Sequence, residues 1–225
     1  MAKKVLLLLA DGFEPLEAAG FTDVLGWANI DGEEPIDLVS AGLRPMLRAT
    51  FGFSVVPDQN VQDLDLATFD ALAIPGGFEG AGFYDDALSH DFSEVIRNFE
   101  AAGKPIASAC VAALALGAAG ILQGRRATTY HQVGGKRKAQ LESYGATFVD
   151  RPLVIDGALI TSTGPGTAIE VAFALLEMLT SHSNADHIRH VMRMPRPDAA
   201  WHALPQVLTV DAEFNTDSDE QVLNG

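Results

Sequence analysis

The chain has 225 residues, 48% of them hydrophobic, enough to bury one sizeable core and too few for two ordinary domains. Its single cysteine, Cys110, excludes an intramolecular disulfide and a cysteine-rich zinc site and points to a reducing, cytoplasmic compartment. A formal net charge of -15 argues against nucleic acid or an anionic membrane as partner, because phosphate binding needs clustered cations.

Val5 to Ala10 is a continuous apolar run, too short to cross a bilayer and interrupted at Asp11, and it reads as a strand buried on both faces. A helix is expected from Pro15 to Ala28, with proline in its first turn and Leu16, Ala19, Val24 and Trp27 along its apolar side. Ile36 to Ser40 and Ser54 to Pro57 read as extended. Phe69 to Ile74 reads as a strand that ends at Pro75-Gly76-Gly77. Asp91 to Ala102 has the spacing of an amphipathic helix, with Phe92, Val95, Ile96 and Phe99 inward.

Next, Lys104 to Ser108 leads through Ala109 and Cys110 into an Ala/Leu helix. Gln132 to Tyr144 follows as a basic, exposed helix. Ala146 to Val149, Leu153 to Ile155 and Leu159 to Thr163 are strand-like, and Gly164-Pro165-Gly166-Thr167 opens a long apolar helix to Leu179. Strands alternating with helices specify an α/β domain with a mainly parallel sheet over residues 1–180. In the remainder, 181–225, Asn184 to Met194 reads as a short helix with Ile188, Val191 and Met192 inward. Pro195, Pro197 and Pro205 then break regular structure, and the acidic end from Asp211 reads as disordered.

Cys110 sits where a short apolar strand runs through small residues into a helix, the pattern of a nucleophile elbow. At a helix N-terminus the macrodipole and free N–H groups favour thiolate and lower the pKa. The alternative is a small buried hydrophobe. Three other groups are placed to help it at the strand ends. Glu17 either shares a proton with Cys110 or is a carboxylate at a helix start. Gly77 with the N–H of Val111 either forms an oxyanion hole or marks a turn. His131, after Ala127-Thr128-Thr129-Tyr130, is either a general base or a packing residue.

Four segments together resemble the ThiJ/PfpI superfamily: Leu9 to Glu17, Pro75-Gly76-Gly77, Ile106 to Cys110, and Thr161 to Thr167 with Glu170 in the following helix. The likeness runs over about residues 3 to 180. It implies a flavodoxin-like three-layer α/β/α sandwich, shared with class I glutamine amidotransferases. It also implies Cys110 as nucleophile in a strained elbow, a protonated Glu17 against it, Gly76 and Gly77 beside it, and a homodimer. The deglycase branch is the most similar in appearance, and neither cofactor nor metal is implied.

Departures from the family pattern narrow the chemistry. Val111 stands where the peptidase branch places histidine, which argues against a peptidase. Ser108, Ala112 and the lack of a later His-x-Glu pair argue against an amidotransferase. Tyr130 fills the position of the deglycase-like histidine, with His131 one residue later, so either His131 or Tyr130 faces Cys110, and Pro165 closes the substrate side. The expected function is a cofactor-independent cysteine enzyme acting on small reactive carbonyls, a glyoxalase or deglycase converting methylglyoxal to lactate. The alternatives are a stress-response redox sensor that stores a cysteine sulfinate and an isonitrile hydratase-like lyase, each using a small-molecule electrophile. The C-terminal extension has three possible roles: a lid, part of a dimer interface, or none.

Overall fold

The computed structural model describes residues 2–203. The expectations for Pro205 and for Asp211 onward lie outside the described residues.

Strand β1 (Lys3–Leu9) is the apolar run found in the sequence, and Val5 to Leu9 are buried. Helix α1 (Pro15–Asp31) returns the chain to β2 (Ile36–Gly42), which pairs parallel to β1. A small antiparallel hairpin, β3 (Leu47–Arg48) and β4 (Ser54–Val55), precedes β5 (Gln59–Asn60) at the sheet edge and β6 (Ala71–Ile74) near its centre. Helices α2 (Phe83–Ala87) and α3 (His90–Ala101) lead to β7 (Ile106–Ser108) and α4 (Ala112–Ala118). Strand β8 (Arg126–Ala127) pairs with β9 (Thr147–Phe148) across α5 (Arg137–Ser143). Strands β10 (Leu153–Asp156) and β11 (Leu159–Ser162) form an antiparallel pair. Helices α6 (Ala168–Leu179), α7 (His182–Val191) and α8 (Ala199–Ala203) complete the described chain.

The main sheet runs β10-β11-β7-β6-β1-β2-β5 and is parallel except for β10. Helices α1, α6 and α7 pack together on the sheet, and α3, α4 and α5 form a second group. This is the expected α/β/α sandwich, with the strand order reversing between β1 and β6 and the four strands β1, β6, β7 and β11 adjacent in the sheet. Their carboxyl ends meet in one place, where sites form in open α/β sheets.

Four expectations need correction. Helix α1 buries Glu17, Ala18, Gly20, Phe21, Val24, Leu25 and Ala28, whereas Leu16 is 53% exposed and Trp27 41% exposed. The rotation is set by Gly20, where a Cβ would come within 2.7 Å of the Ala168 backbone, so α1 and α6 touch there. The helix expected over 132–144 begins only at Arg137, because Gly134, at φ 77°, breaks the chain direction. Helix α7 starts earlier than expected, at His182, where Ser181 Oγ accepts the Asn184 N–H at 3.1 Å. The proline-broken stretch contains α8, whose Trp201 N–H donates to Asp198 Oδ1 at 2.8 Å.

Candidate active site

Cys110 has φ 56°, in the left-handed region that residues with a Cβ avoid at a cost of about 1–2 kcal/mol. Two strands hold it there. The Ala109 N–H donates to Ile74 O at 3.0 Å and the Cys110 N–H to Ser162 O at 2.9 Å, so the turn hangs between the ends of β6 and β11. From the far side Thr129 Oγ1 donates to Cys110 O at 3.1 Å. Small neighbours are obligatory, since a Cβ on Gly76 would lie 2.8 Å from Cys110 Cβ and 2.9 Å from Glu17 Oε2. The elbow inferred from the sequence is therefore present, and Cys110 as a whole is 8% exposed.

Glu17 is wholly buried. The Gly76 N–H donates to its Oε2 at 2.6 Å, and the carboxyl also hydrogen-bonds the Cys110 side chain. Burial pushes its pKa up to about 8, with the Cys110 and Gly76 contacts opposing the rise. It is therefore a neutral acid at neutral pH.

The thiol departs from the sequence expectation. Burial first, then the Glu17 charge, push it well above its ordinary value, and only the Val111 N–H pulls it down. Helix α4 is too short and the site too dry for the macrodipole to prevail. The two groups titrate as one unit. Removing one proton leaves a single charge shared by sulfur and carboxyl, and in one of its two forms protonated Glu17 donates to the thiolate.

Of the glycine pair, the Gly76 N–H is taken by Glu17, while the Phe13–Gly77 bridge is closed by the Glu14 N–H to Gly76 O at 2.7 Å and the Phe78 N–H to Gly12 O at 3.2 Å and does not use the Gly77 N–H. The Val111 N–H serves the Cys110 sulfur. His131 is buried, with Nδ1 3.0 Å from Thr129 O, Nε2 3.3 Å from Asp150 Oδ1, and its ring edge-on to Phe148. It stands with Tyr130 and Pro165 on the wall of a cleft beside the elbow. Tyr130 OH accepts from Gln132 Nε2 at 2.6 Å. Cys110, Glu17, Gly76 and Val111 thus come together, and His131, Tyr130 and Pro165 form a neighbouring group.

Three contributors were missed in the sequence. Thr129 steadies the elbow. Trp201 joins the cleft wall. Glu14 is 6% exposed, its Oε2 is buried without a hydrogen-bond partner among the described residues, and burial raises its pKa. Its N–H donates to Gly76 O at 2.7 Å, which ties it to the glycine that touches both Cys110 and Glu17. The available signal was its place three residues before Glu17, on the same turn of chain.

A buried, unpaired cysteine in a strained strand-to-helix turn, with a carboxylic acid against it, defines an α/β protein with a candidate cysteine nucleophile. Residues 3–178 match the DJ-1/PfpI family, and the chain belongs to it. Protein DJ-1 homolog A of Arabidopsis thaliana is 32% identical over 197 residues, covering 87% of this chain and 48% of the relative, so the chain spans about half that relative's length. A Pyrococcus abyssi protein named as a deglycase is 30% identical over 163 residues, which is 72% of this chain and 91% of the relative. The crystal structure of Drosophila melanogaster DJ-1beta superimposes with a TM-score of 0.76 at 29% identity, over 87% of this chain and all of that one.

Proposed function

We propose that the protein is a cofactor-independent cysteine enzyme acting on small reactive carbonyls, with methylglyoxal to lactate as its representative reaction. The observation that carries this reading is the Cys110–Glu17 pair: a strained thiol whose buried neighbour holds a proton near neutrality. The deglycase relative supports it.

In the reaction the sulfur adds to the aldehyde carbon, and the pair's proton goes to the carbonyl oxygen, giving a hemithioacetal. The Glu17 carboxylate then takes the C1 hydrogen as a proton and an enediol forms. Reprotonation at C2 leaves a thioester of lactate, so C1 is oxidised and C2 reduced within one molecule. Water cleaves the thioester, releases lactate and restores the thiol. His131 and Tyr130 face the substrate's side of the cleft and orient it. Burial raises the Glu14 pKa, which favours its neutral form beside the pair. Cys110→Ser is expected to abolish lactate formation from methylglyoxal, and lactate formed at the wild-type rate by that variant would reject the mechanism. A phenyl isonitrile arm in the same assay distinguishes the hydratase chemistry.

The same pair supports a second reading as a redox sensor. Two equivalents of peroxide would convert the thiolate to a sulfinate with release of two waters, and the Glu17 acid would hydrogen-bond the product. A stable gain of two oxygens in intact mass, without aldehyde turnover, would select this role. A reducing cytoplasmic setting suits either reading.

For the assembled state we propose a homodimer. Leu16, Met46, Phe51, Phe53 and Phe78 are exposed, and the Phe51 and Phe78 rings meet edge to face at 5.8 Å. The hairpin that carries Phe51 and Phe53 is bound to the loop between β1 and α1, the helix that carries Glu17, since the Thr50 N–H donates to Phe13 O at 2.9 Å and the Gly12 N–H to Arg48 O at 2.7 Å. A second copy seated there would cover this apolar patch and shield the site.

A further inference from the structure

A cleft of about 320 Å³ opens beside the elbow, with Tyr130, His131, Thr163, Pro165, Gly166 and Trp201 among its walls. It adjoins Cys110 at two points. Ser162 O accepts the Cys110 N–H and Thr129 Oγ1 donates to Cys110 O, and the next residues, Thr163 and Tyr130, line the cleft. The volume falls at the lower end of sites for drug-sized ligands, about 300–1,000 Å³, and exceeds what a three-carbon aldehyde fills.

One wall comes from outside the family domain. Trp201 lies on α8, beyond the matched span of 3–178. The segment that carries it is anchored. Arg189 of α7 pairs with Glu170 of α6 through both guanidinium ends, at 2.8 and 2.7 Å, and its Nη1 also donates to Pro195 O at 3.1 Å. The guanidinium stacks 3.9 Å over the Phe173 ring, and the Met194 N–H donates to Arg189 O at 3.0 Å. From this fixed point the chain runs to Asp198, which caps α8 at the Trp201 N–H.

Resting on the carbonyl reading of Cys110, we propose that the cleft binds the substituent a substrate carries beside its reactive carbonyl, with Trp201 as its specificity-determining wall. The fitting group is flat, apolar and of aromatic size, because an indole, a phenol ring and a proline ring bound the space and no Asp, Glu, Lys or Arg among the described residues lines it. The representative substrate is an aryl 2-oxoaldehyde.

The test compares kcat/KM for phenylglyoxal and methylglyoxal in wild type, Trp201→Phe and Trp201→Ala. Trp201→Ala is expected to lower the ratio of kcat/KM for phenylglyoxal to that for methylglyoxal at least tenfold, chiefly through KM for phenylglyoxal. Trp201→Phe should retain most of the phenylglyoxal preference. Equal losses on both substrates, or none on phenylglyoxal, would overturn the proposal. If wild type turns over neither aldehyde, the carbonyl reading fails and the subsite is tested separately. The chain has two tryptophans, so Trp27→Phe leaves Trp201 as the sole tryptophan, excited selectively at the red edge. Saturable quenching by 2-phenylacetamide, an uncharged non-electrophile, would support the subsite; a flat titration would overturn it.

Discussion

At the scale of single residues, Cys110 and Glu17 each hold a state that an exposed residue would abandon. A cysteine at φ 56° stores strain that glycine would relieve. Cys110→Gly should therefore be more stable than Cys110→Ala by about 1 kcal/mol in thermal unfolding, the reverse of the usual order. Equal stability, or a more stable alanine variant, would remove the strain argument. Glu17 makes a pH prediction with a definite sign. Its folded pKa of about 8 lies above the ordinary 4.5, so the folded state binds the proton more tightly. That contribution is complete below the unfolded pKa and is lost as pH rises through the folded one, on the order of 5 kcal/mol across the window. The Tm of wild type should fall relative to that of Glu17→Gln between about pH 5 and pH 8. A constant difference would show that Glu17 is an ordinary carboxylate.

At the scale of elements, the strand-to-helix turn was legible because its requirement is steric: Ala107, Ser108 and Ala109 before Cys110 and Ala112 after it admit no other use as easily. The face of α1 was not legible. Leu16 and Trp27 are the larger apolar residues, yet the helix turns them outward, because contact at Gly20 and the reach of Glu17 to Gly76 decide its rotation. Gly20→Ala would drive a Cβ to 2.7 Å from Ala168 backbone atoms, an overpacking worth about 1–3 kcal/mol, and would displace Glu17. Gly26 on the same helix has open space around its Cβ, so Gly26→Ala should stabilise by up to about 1 kcal/mol. Thermal unfolding of the two variants checks the pair, and a Gly20→Ala variant as stable as Gly26→Ala would contradict the packing. The positions of Tyr130 and His131 depend on contacts with Gln132, Asp150 and Phe148, which spacing does not reveal. Trp201 lies among prolines, where no periodicity signals a helix.

At the scale of the whole molecule, the acidic surface and the apolar patch act in opposite directions on association. Two copies, each with a net charge of -15, repel, while the rings of Phe51, Phe53 and Phe78 favour contact. Salt screens the first effect and leaves the second. Dimerisation measured by sedimentation should strengthen with added salt and be lost in Phe51→Ser/Phe53→Ser. A monomer at all salt concentrations would exclude the homodimer. No helix among the described residues is long and apolar enough to cross a membrane.

The central claim is that Glu17 holds a proton against Cys110 and titrates with it. Infrared difference spectroscopy of the buried carboxyl during a pH titration tests it most directly. A protonated carboxyl band should disappear with a midpoint near pH 8, be absent in Glu17→Gln, and shift its midpoint in Cys110→Ser. A carboxyl that titrates at its ordinary 4.5, or a midpoint unmoved by loss of the sulfur, would contradict the account.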